Sequence, residues 1–464
     1  MMRLTLALHS LGVFTTLGLA VPALAAAQGK QFPADSTVQA ILNSQVTAKK
    51  TAGIVVGLLD ADGTRRVFAA GKSDNKGLVL DGNTVFEIGS ITKTFTASLL
   101  AEMVTRGEVK LTDRLQSLLP ASVKIPSRNG REITLADLVT VSSGLPGMPT
   151  NFKPADPNNP YADYSVQQLY EFLSGYTLTR DIGSAYEYSN LGMGLLGHAL
   201  ALKSGTSYFD LVNERILKPL GMHDTEVVLS PRLQQRLALG HSAAGAVVAN
   251  WDLPTLAGAG ALRSTVNDMF KYLVAQLDST SRPLGPALAT THGTRTKTTT
   301  PGLTVGMAWH ILKTPGSVVV WHNGGTGGYR TFMGFDEAKR IGVIVLSNSS
   351  ISVDDVGFHL IDPAVPLSKP PVARVAKSID GSLLPQFVGT YQYAPDISIA
   401  VTLEQGALWI EATGQAKVRL IAESESSFFI AEDDIAISFV KDGGVVTQLV
   451  VHQGGGEVPA KKVR

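Results

Sequence analysis

Ser90-Ile-Thr-Lys93 places a hydroxyl and an amine three residues apart. On a helix, side chains at that spacing share a face. A serine at a helix N-terminus also lies beside free backbone N–H groups and the positive end of the helix dipole, which can stabilise an oxyanion. The pair can therefore act as a nucleophile with a basic group next to it. By itself the pattern is weak, because Ser73–Lys76 and Ser438–Lys441 repeat it. Two further polar sets stand out. Tyr188-Ser-Asn190 is the only Tyr-x-Asn in the chain, and His322-Asn-Gly324 runs into Gly325-Thr-Gly-Gly328. Each also has a plainer reading. Ser90 can be a helix cap, Tyr188 and Asn190 loop and N-cap residues, and His322 a strand-end histidine like that of His452-Gln-Gly454.

All three sets fall at element boundaries. The strand-like run Val85 to Ile88 breaks at Gly89, and helical periodicity spans about Ser90 to Arg106, stopping at Gly107. Upstream, Ile54–Leu59 and Arg65–Ala70 read as strands around the turn Asp60-Ala-Asp-Gly63. Downstream comes a helical stretch. Thr134-Leu-Ala-Asp137 has the form of a capped helix start. Further helices are expected at Leu191–Lys203, at Tyr208–Leu217 with a stop at Pro219 and Gly221, and at Met269–Leu277. Strand character returns at Leu303–Leu312, Val318–Trp321, Tyr329–Phe335 and Ile341–Leu346, and His322 follows the second of these. The simplest assembly joins early and late strands in one sheet with a helical block inserted between them, so that a cleft lies at the lobe boundary.

Residues 361–383 hold Pro363, Pro366, Pro370 and Pro371 and read as a linker. Residues 384–464 carry short strands separated by turns, the pattern of a small antiparallel barrel. The expected division is a leader at 1–25, a main domain at 30–360, the linker, and the barrel at 384–464.

Composition narrows the function. Arg3, an apolar run and Ala23-Leu-Ala25 form a secretory signal peptide, which places the mature protein outside the cytoplasm, secreted or periplasmic. No later run reaches the roughly 18–20 apolar residues of a membrane span. Formal net charge is +1, from 40 basic and 39 acidic residues, and no long basic run supports nucleic-acid binding. With no cysteine, disulfides and thiol nucleophiles are excluded. The nine histidines lack metal-binding spacing, and no cofactor is expected. The best α/β-hydrolase elbow, Gly240-His-Ser242-Ala-Ala244-Gly245, lacks the second glycine where Gly-x-Ser-x-Gly requires it.

Taken in order, Ser-x-x-Lys, Tyr-x-Asn and His-x-Gly resemble the serine β-lactamase and penicillin-binding-protein superfamily. Tyr-x-Asn in second place is similar to its class C branch, which also holds D-alanyl-D-alanine carboxypeptidases, D-aminopeptidases and some carboxylesterases. Ser143-Gly-Leu-Pro146 and Ile216–Met222 match the same style, over roughly residues 35–355. The resemblance implies an α+β fold: an antiparallel sheet flanked by helices, with an inserted all-helical lobe and a C-terminal, lipocalin-like β-barrel. It implies an acyl-enzyme hydrolase with Ser90, Lys93 and Tyr188 catalytic. Asn190, His322, Gly324 and Gly325 would bind substrate, and the Ser90 and Gly325 N–H groups would form the oxyanion hole. The implied substrates are β-lactams, D-amino-acid peptides or esters. A penicillin-binding sensor with negligible turnover is the non-enzyme alternative. One departure from the family pattern is His322, where β-lactamases carry lysine; a second is Val141-Ser142, where many relatives show a His-Thr-like pair. The tail is expected to narrow the cleft as a lid.

Overall fold

The strand Gly53–Leu59 (β1) is buried at every position. Its alternate side chains serve two cores: Val55 and Leu59 pack on one face, and Ile54, Val56 and Leu58 on the other. A strand buried on both sides needs cover on both sides. The computed structural model, which describes residues 32–280, 283–368, 374–394, 397–412, 417–430, 435–453 and 456–463, supplies it. The expected leader, 1–25, lies outside these residues.

β1 is joined by β2 (Arg65–Gly71), β3 (Thr296–Lys297), β4 (Leu303–Val305), β5 (His310–Lys313), β6 (Val318–Gly325), β7 (Arg330–Asp336) and β8 (Ile341–Ser347). They form one eight-stranded sheet in the order β2-β1-β8-β7-β6-β5-β4-β3. Every pairing is antiparallel, and Ile54 opposite Ser347 is where the early strands meet the late ones. The helices that matter for the site are α1 (Asp35–Thr47), α2 (Thr92–Thr105), α3 (Asn190–Ser204), α4 (Val266–Leu277) and α5 (Asp354–Ile361). Side chains of α1 and α5 share one core with the sheet. Those of α2, α3 and α4, with most of the inserted segment, share the other. Helix α2 is buried all round from Thr92 to Met103, the mark of a helix threaded through a core rather than laid on its surface.

Local signals explain most boundaries. Thr134 and Asp137 form the expected capping box, each side chain bonding the other's backbone N–H. Helix α3 is capped by Ser189 and ends at Gly205, whose φ of 68° is left-handed. Other boundaries differ from the sequence reading. Pro219 does not end its helix: a π-turn at Asn213–Leu217 leads into a last helical turn, Lys218–Leu220, and only Gly221 stops it. The left-handed φ of 68° at Gly221 ends it instead. The run Leu303–Leu312 is a hairpin of β4 and β5 rather than one strand.

The C-terminal residues form a nine-stranded antiparallel sheet that nearly closes into a barrel. Its edge strands, Val418–Arg419 and Ile421–Ala422, are separated by Leu420 alone, so the chain itself bridges the gap. Phe387, Tyr391, Phe428 and Phe439 fill a core separate from the other two. Gly456–Lys462, which the sequence reading passed over, is a strand paired on both sides.

Candidate active site

Ser90 does not begin the α-helix. Gly89–Ile91 form a 3-10 turn and α2 starts at Thr92, so Ser90 stands just outside the helix with its first-turn N–H groups alongside. The junction is tied down from behind. The short strand Phe86–Glu87 pairs with Arg263–Ser264, Ile88 N–H donates to Leu262 O, and Leu262 N–H donates to Thr92 Oγ1.

Lys93 is 1% exposed. Its Nζ lies 2.9 Å from Ser90 Oγ, 2.8 Å from Asn190 Oδ1 and 2.7 Å from the Ala259 carbonyl. Asn190 is oriented by its own Nδ2, which donates to the Tyr161 hydroxyl at 3.2 Å. Burial holds the lysine pKa well below its ordinary value. Two of the three neighbours, Asn190 Oδ1 and Ala259 O, only accept hydrogen bonds. A neutral amine spends both hydrogens on them, leaving its lone pair for the third neighbour, and the Ser90 hydroxyl then donates to nitrogen. The cluster is arranged to draw a proton from Ser90.

The Tyr188 ring lies 4.8 Å from Lys93 Nζ. Although 36% of Tyr188 is exposed, burial around its hydroxyl pushes its pKa up, against the pull of a hydrogen bond with Ser90. It is a phenol, not a phenolate, at neutral pH. The loop before it is pinned by the segment that departs from the family pattern. Val141 O accepts from Glu187 N–H, and Ser142 O accepts from Gly183 N–H at 2.7 Å. Val141 has a φ of 54°, an outlier for a β-branched residue that only surrounding structure sustains.

The third set is not beyond a strand but inside one. Strand β6 continues through Gly325, because His322 to Gly325 keep pairing with Arg330 to Met333 of β7. His322 is 1% exposed, and its Nδ1 lies 2.6 Å from Asn323 O. Burial, then the neighbouring His310 and Lys93, hold its pKa well below the usual histidine value, against the backbone bond. The ring is neutral. His310, whose Nε2 is 3.0 Å from the Tyr186 hydroxyl, is lowered to about 4, mainly by burial and secondarily by Lys93. Asn323 turns to the other face and donates to Asp354 Oδ2 at 2.7 Å. Burial lifts Asp354 to about 6, opposed by that bond.

Glycine is required where β6 presses on the Ser90 turn. A Cβ at Gly89 would sit 2.7 Å from Gly325 N, and one at Gly324 only 2.0 Å from Ile88 O. Both clashes are with backbone, which cannot rotate aside. Gly324→Ala is therefore expected to push β6 off the turn, with a stability loss of about 1–3 kcal/mol. Turnover should fall at least about 100-fold, since the Gly325 N–H is displaced from Ser90. Thermal unfolding and kcat/KM on one substrate check both.

Ser90, Asn190, Tyr161 and Gly325 line one small pocket. Beyond Gly325 it opens into a cleft of about 420 Å³ bounded by Trp251, Thr326, Gly327, Arg330, Asn158 and Ser242. Among the described residues, those lining both cavities lie between 90 and 350 and none is from the barrel, so the lid role expected of the tail has no contact here to support it. Ala259, Tyr161, Trp251 and His310 escaped the sequence reading. Only Ala257-Gly-Ala-Gly260 left a signal, a run of small residues fit for close packing against α3. The competing Ser-x-x-Lys pairs are occupied elsewhere. Ser73 Oγ donates to Leu78 O, and Ser438 Oγ is 2.6 Å from His452 Nε2. Ser242 lies in a loop closed by the bridge of His241 to Val247, not on a strand-to-helix elbow.

An antiparallel sheet covered by helices on both faces, with a helical insertion carrying Ser-x-x-Lys at its start, defines the β-lactamase/transpeptidase-like fold. The chain belongs to the Beta-lactamase family, whose sequence profile matches residues 38–363. The D-alanyl-D-alanine-carboxypeptidase/endopeptidase AmpH of Escherichia coli is 31% identical over 310 residues, covering 63% of this chain and 79% of its own length. Penicillin-binding protein 4* of Bacillus subtilis is 25% identical over 413 residues, 83% of this chain and 89% of its own. Among solved structures, a class C β-lactamase superposes with a TM-score of 0.62 at 22% identity, over 70% of this chain and 96% of its own. The octameric penicillin-binding protein homologue from Pyrococcus abyssi does so with a TM-score of 0.64 at 20% identity, over 91% and 99%. These last two likenesses speak for the fold. The homologues include β-lactamases and a D-alanyl-D-alanine carboxypeptidase, which are hydrolases. Among the described residues no helix is long and apolar enough to cross a membrane.

Proposed function

We propose that the protein is an exported serine hydrolase that works through an acyl-enzyme at Ser90, on β-lactams or D-amino-acid-containing cell-wall peptides. The observation that carries this reading is the Lys93 environment, a buried amine within 2.9 Å of Ser90 Oγ whose other two contacts only accept. Ser90 Oγ bonds to the scissile carbonyl carbon as its proton passes to Lys93 Nζ. The carbonyl oxygen, now an oxyanion, faces the Ser90 and Gly325 N–H groups; losing one such donor costs on the order of 3 kcal/mol. As the carbonyl reforms, the bond to the leaving group breaks, and the Tyr188 hydroxyl passes a proton to the leaving atom while Lys93 restores it. Water then repeats the sequence on the ester. Tyr188, protonated by virtue of its burial, suits the acid role, and Lys93 the base. Asn190 holds the amine and a substrate amide.

In this reading residues 1–25 are cleaved on export and 384–464 are a separate lipocalin-like domain. The separate barrel core supports the latter.

A panel of a chromogenic cephalosporin, a D-Ala-D-Ala peptide, a D-aminoacyl amide and a short-chain nitrophenyl ester tests the reading, with Ser90→Ala as control. Multiple turnovers that vanish in Ser90→Ala are expected. Turnover surviving in that variant would overturn the mechanism, and a single stoichiometric acylation would make the protein a sensor. A second reading, a carboxylesterase on the same acyl-enzyme, is favoured by the neutral His322, since an ester needs no cation beside it.

A further inference from the structure

We propose, resting on the acyl-enzyme reading, that Glu87 and Arg263 are positioning residues of the site. The buried pair fixes Trp251 as the wall between Ser90 and the larger cleft, and so sets selectivity for the acyl portion. The favoured substrates carry an acyl group long enough to extend past that wall.

Trp251 lines both the small pocket at Ser90 and the cleft of about 420 Å³. Its indole lies so close to the glycine run that a Cβ at Gly327 would sit 2.7 Å from Nε1. It also packs on Tyr161, with ring centroids 5.5 Å apart. Tyr188, which passes its proton to the leaving atom, lines neither cavity, so the cleft receives the acyl portion. Residues 248–253 belong to no helix or strand. Trp251 is therefore not held by a ladder of its own.

The pair holds it instead. Glu87 and Arg263 are 3% and 6% exposed and stand opposite each other across the short ladder that ties down the Ser90 turn. Arg263 Nη2 lies 3.2 Å from Glu87 Oε1. Glu87 Oε1 accepts from Trp251 N–H at 3.0 Å, and Arg263 Nη2 donates to Trp251 O at 2.8 Å. Both backbone polar groups of Trp251 are thus taken, one by each half of the pair. The same Nη2 reaches Asp252 Oδ1 at 3.2 Å. Asp252 in turn clasps Asn159, its N–H donating to Oδ1 at 2.8 Å and its Oδ2 accepting from Nδ2 at 2.9 Å. Asn158, the next residue, lines the cleft. One pair therefore links the nucleophile turn to two sides of the acyl site.

Stability does not account for such a pair. Buried charges cost desolvation, and apolar side chains of the same volume are often as stable or more so. What the pair adds is direction, since hydrogen bonds to N–H and C=O fix how Trp251 faces the cleft. Burial raises the Glu87 pKa, opposed first by Arg263 and then by the side chains of Thr326 and Asn250. Thr326 lines both cavities as well.

The test compares substrates that share a leaving group and differ in acyl reach. One pair is nitrophenyl esters with a short and an extended acyl group; the other is D-alanyl-D-alanine peptides built in the same way. Wild type should favour the extended member of each pair. Glu87→Leu combined with Arg263→Met removes both charges together, so neither is left buried and unpaired. That variant should lower the preference at least about tenfold, mostly through KM. Trp251→Ala should lower it likewise, and adding the pair change to Trp251→Ala should lower it no further. Equal losses on short and extended substrates, or fully additive losses, make the pair merely structural and overturn the proposal while leaving the acyl-enzyme intact. Because a core change can compromise folding, 19F NMR of fluorotryptophan-labelled wild type gives a second measure. The Trp251 signal, identified by its loss in Trp251→Phe, should be a single line that shifts on acylation by the extended substrate and not by the short one. Several exchanging Trp251 signals, or no shift, overturn the proposal too. Absence of Ser90-dependent turnover on every substrate overturns the acyl-enzyme reading and this proposal with it.

Discussion

Ser90→Ala is expected to lower kcat/KM by on the order of 10⁵-fold or more, the scale seen when the nucleophile of a serine hydrolase is removed. The fold should be barely affected. Ser90 lies in a short 3-10 turn, only partly buried, and supplies one of three hydrogen-bond partners to Lys93. A single side-chain hydrogen bond contributes about 1 kcal/mol net. The remaining contacts, Asn190 Oδ1 and Ala259 O, keep the amine satisfied. The thermal midpoint should thus move by a few degrees at most, in either direction. Intact-mass spectrometry separates the outcomes further. Wild type incubated with a slowly released substrate should gain one acyl mass, and Ser90→Ala none. A variant that unfolds would make Ser90 a structural residue; one that keeps its activity would move the nucleophile elsewhere.

What could be read from the chain depended on the range of the forces involved. Ser90 and Lys93 share a face because three-residue spacing on a helix is local geometry, and the contact of 2.9 Å follows from it. The cap at Thr134 and the stops at Gly205 and Gly221 are local in the same way, whereas the cap of α3 is Ser189, one residue before the Asn190 of the plainer reading. The joining of early and late strands was legible because β1 and β8 are too apolar to sit anywhere but between two layers. Other features are set by tertiary contacts. His322 belongs to β6 only because β7 offers it partners, and nothing in His-Asn-Gly-Gly favours a strand. Gly456–Lys462, with Pro459 and two lysines, reads as a tail, yet the barrel pairs it on both sides. The Ala259 carbonyl, which takes one hydrogen of the lysine, is a backbone atom about which residue type says nothing. The charge of His322 was likewise out of reach, since its neutrality comes from burial beside His310 and Lys93, far away in sequence.

Lys93→Arg is the sharper test of the proton's path, because it puts a permanently protonated group where the neutral amine stands and so removes the base. A guanidinium does not deprotonate in the working range. It therefore cannot accept the Ser90 proton, and its bulk does not fit the space among Asn190 Oδ1, Ala259 O and Ser90 Oγ. Loss of general-base assistance is expected to cut kcat by about 10²–10⁴-fold. The pH profile carries the sign. Burial lowers the Lys93 pKa, so the amine is neutral from that lowered value upward, well below the ordinary range of lysine. Activity of the wild type should rise with pH through the lowered value and then level off, and that limb should be missing in Lys93→Arg. Stability follows the same sign. Between the lowered value and that of an exposed lysine, the unfolded chain binds a proton that the native site refuses. The contribution of Lys93 to stability should therefore improve as pH rises across that window and be lost as pH falls through the lowered value. If the acid limb persists unchanged in Lys93→Arg, the base is another group. Tyr188→Phe would then be decisive, since the phenol, with its raised pKa, could act as base only at markedly alkaline pH.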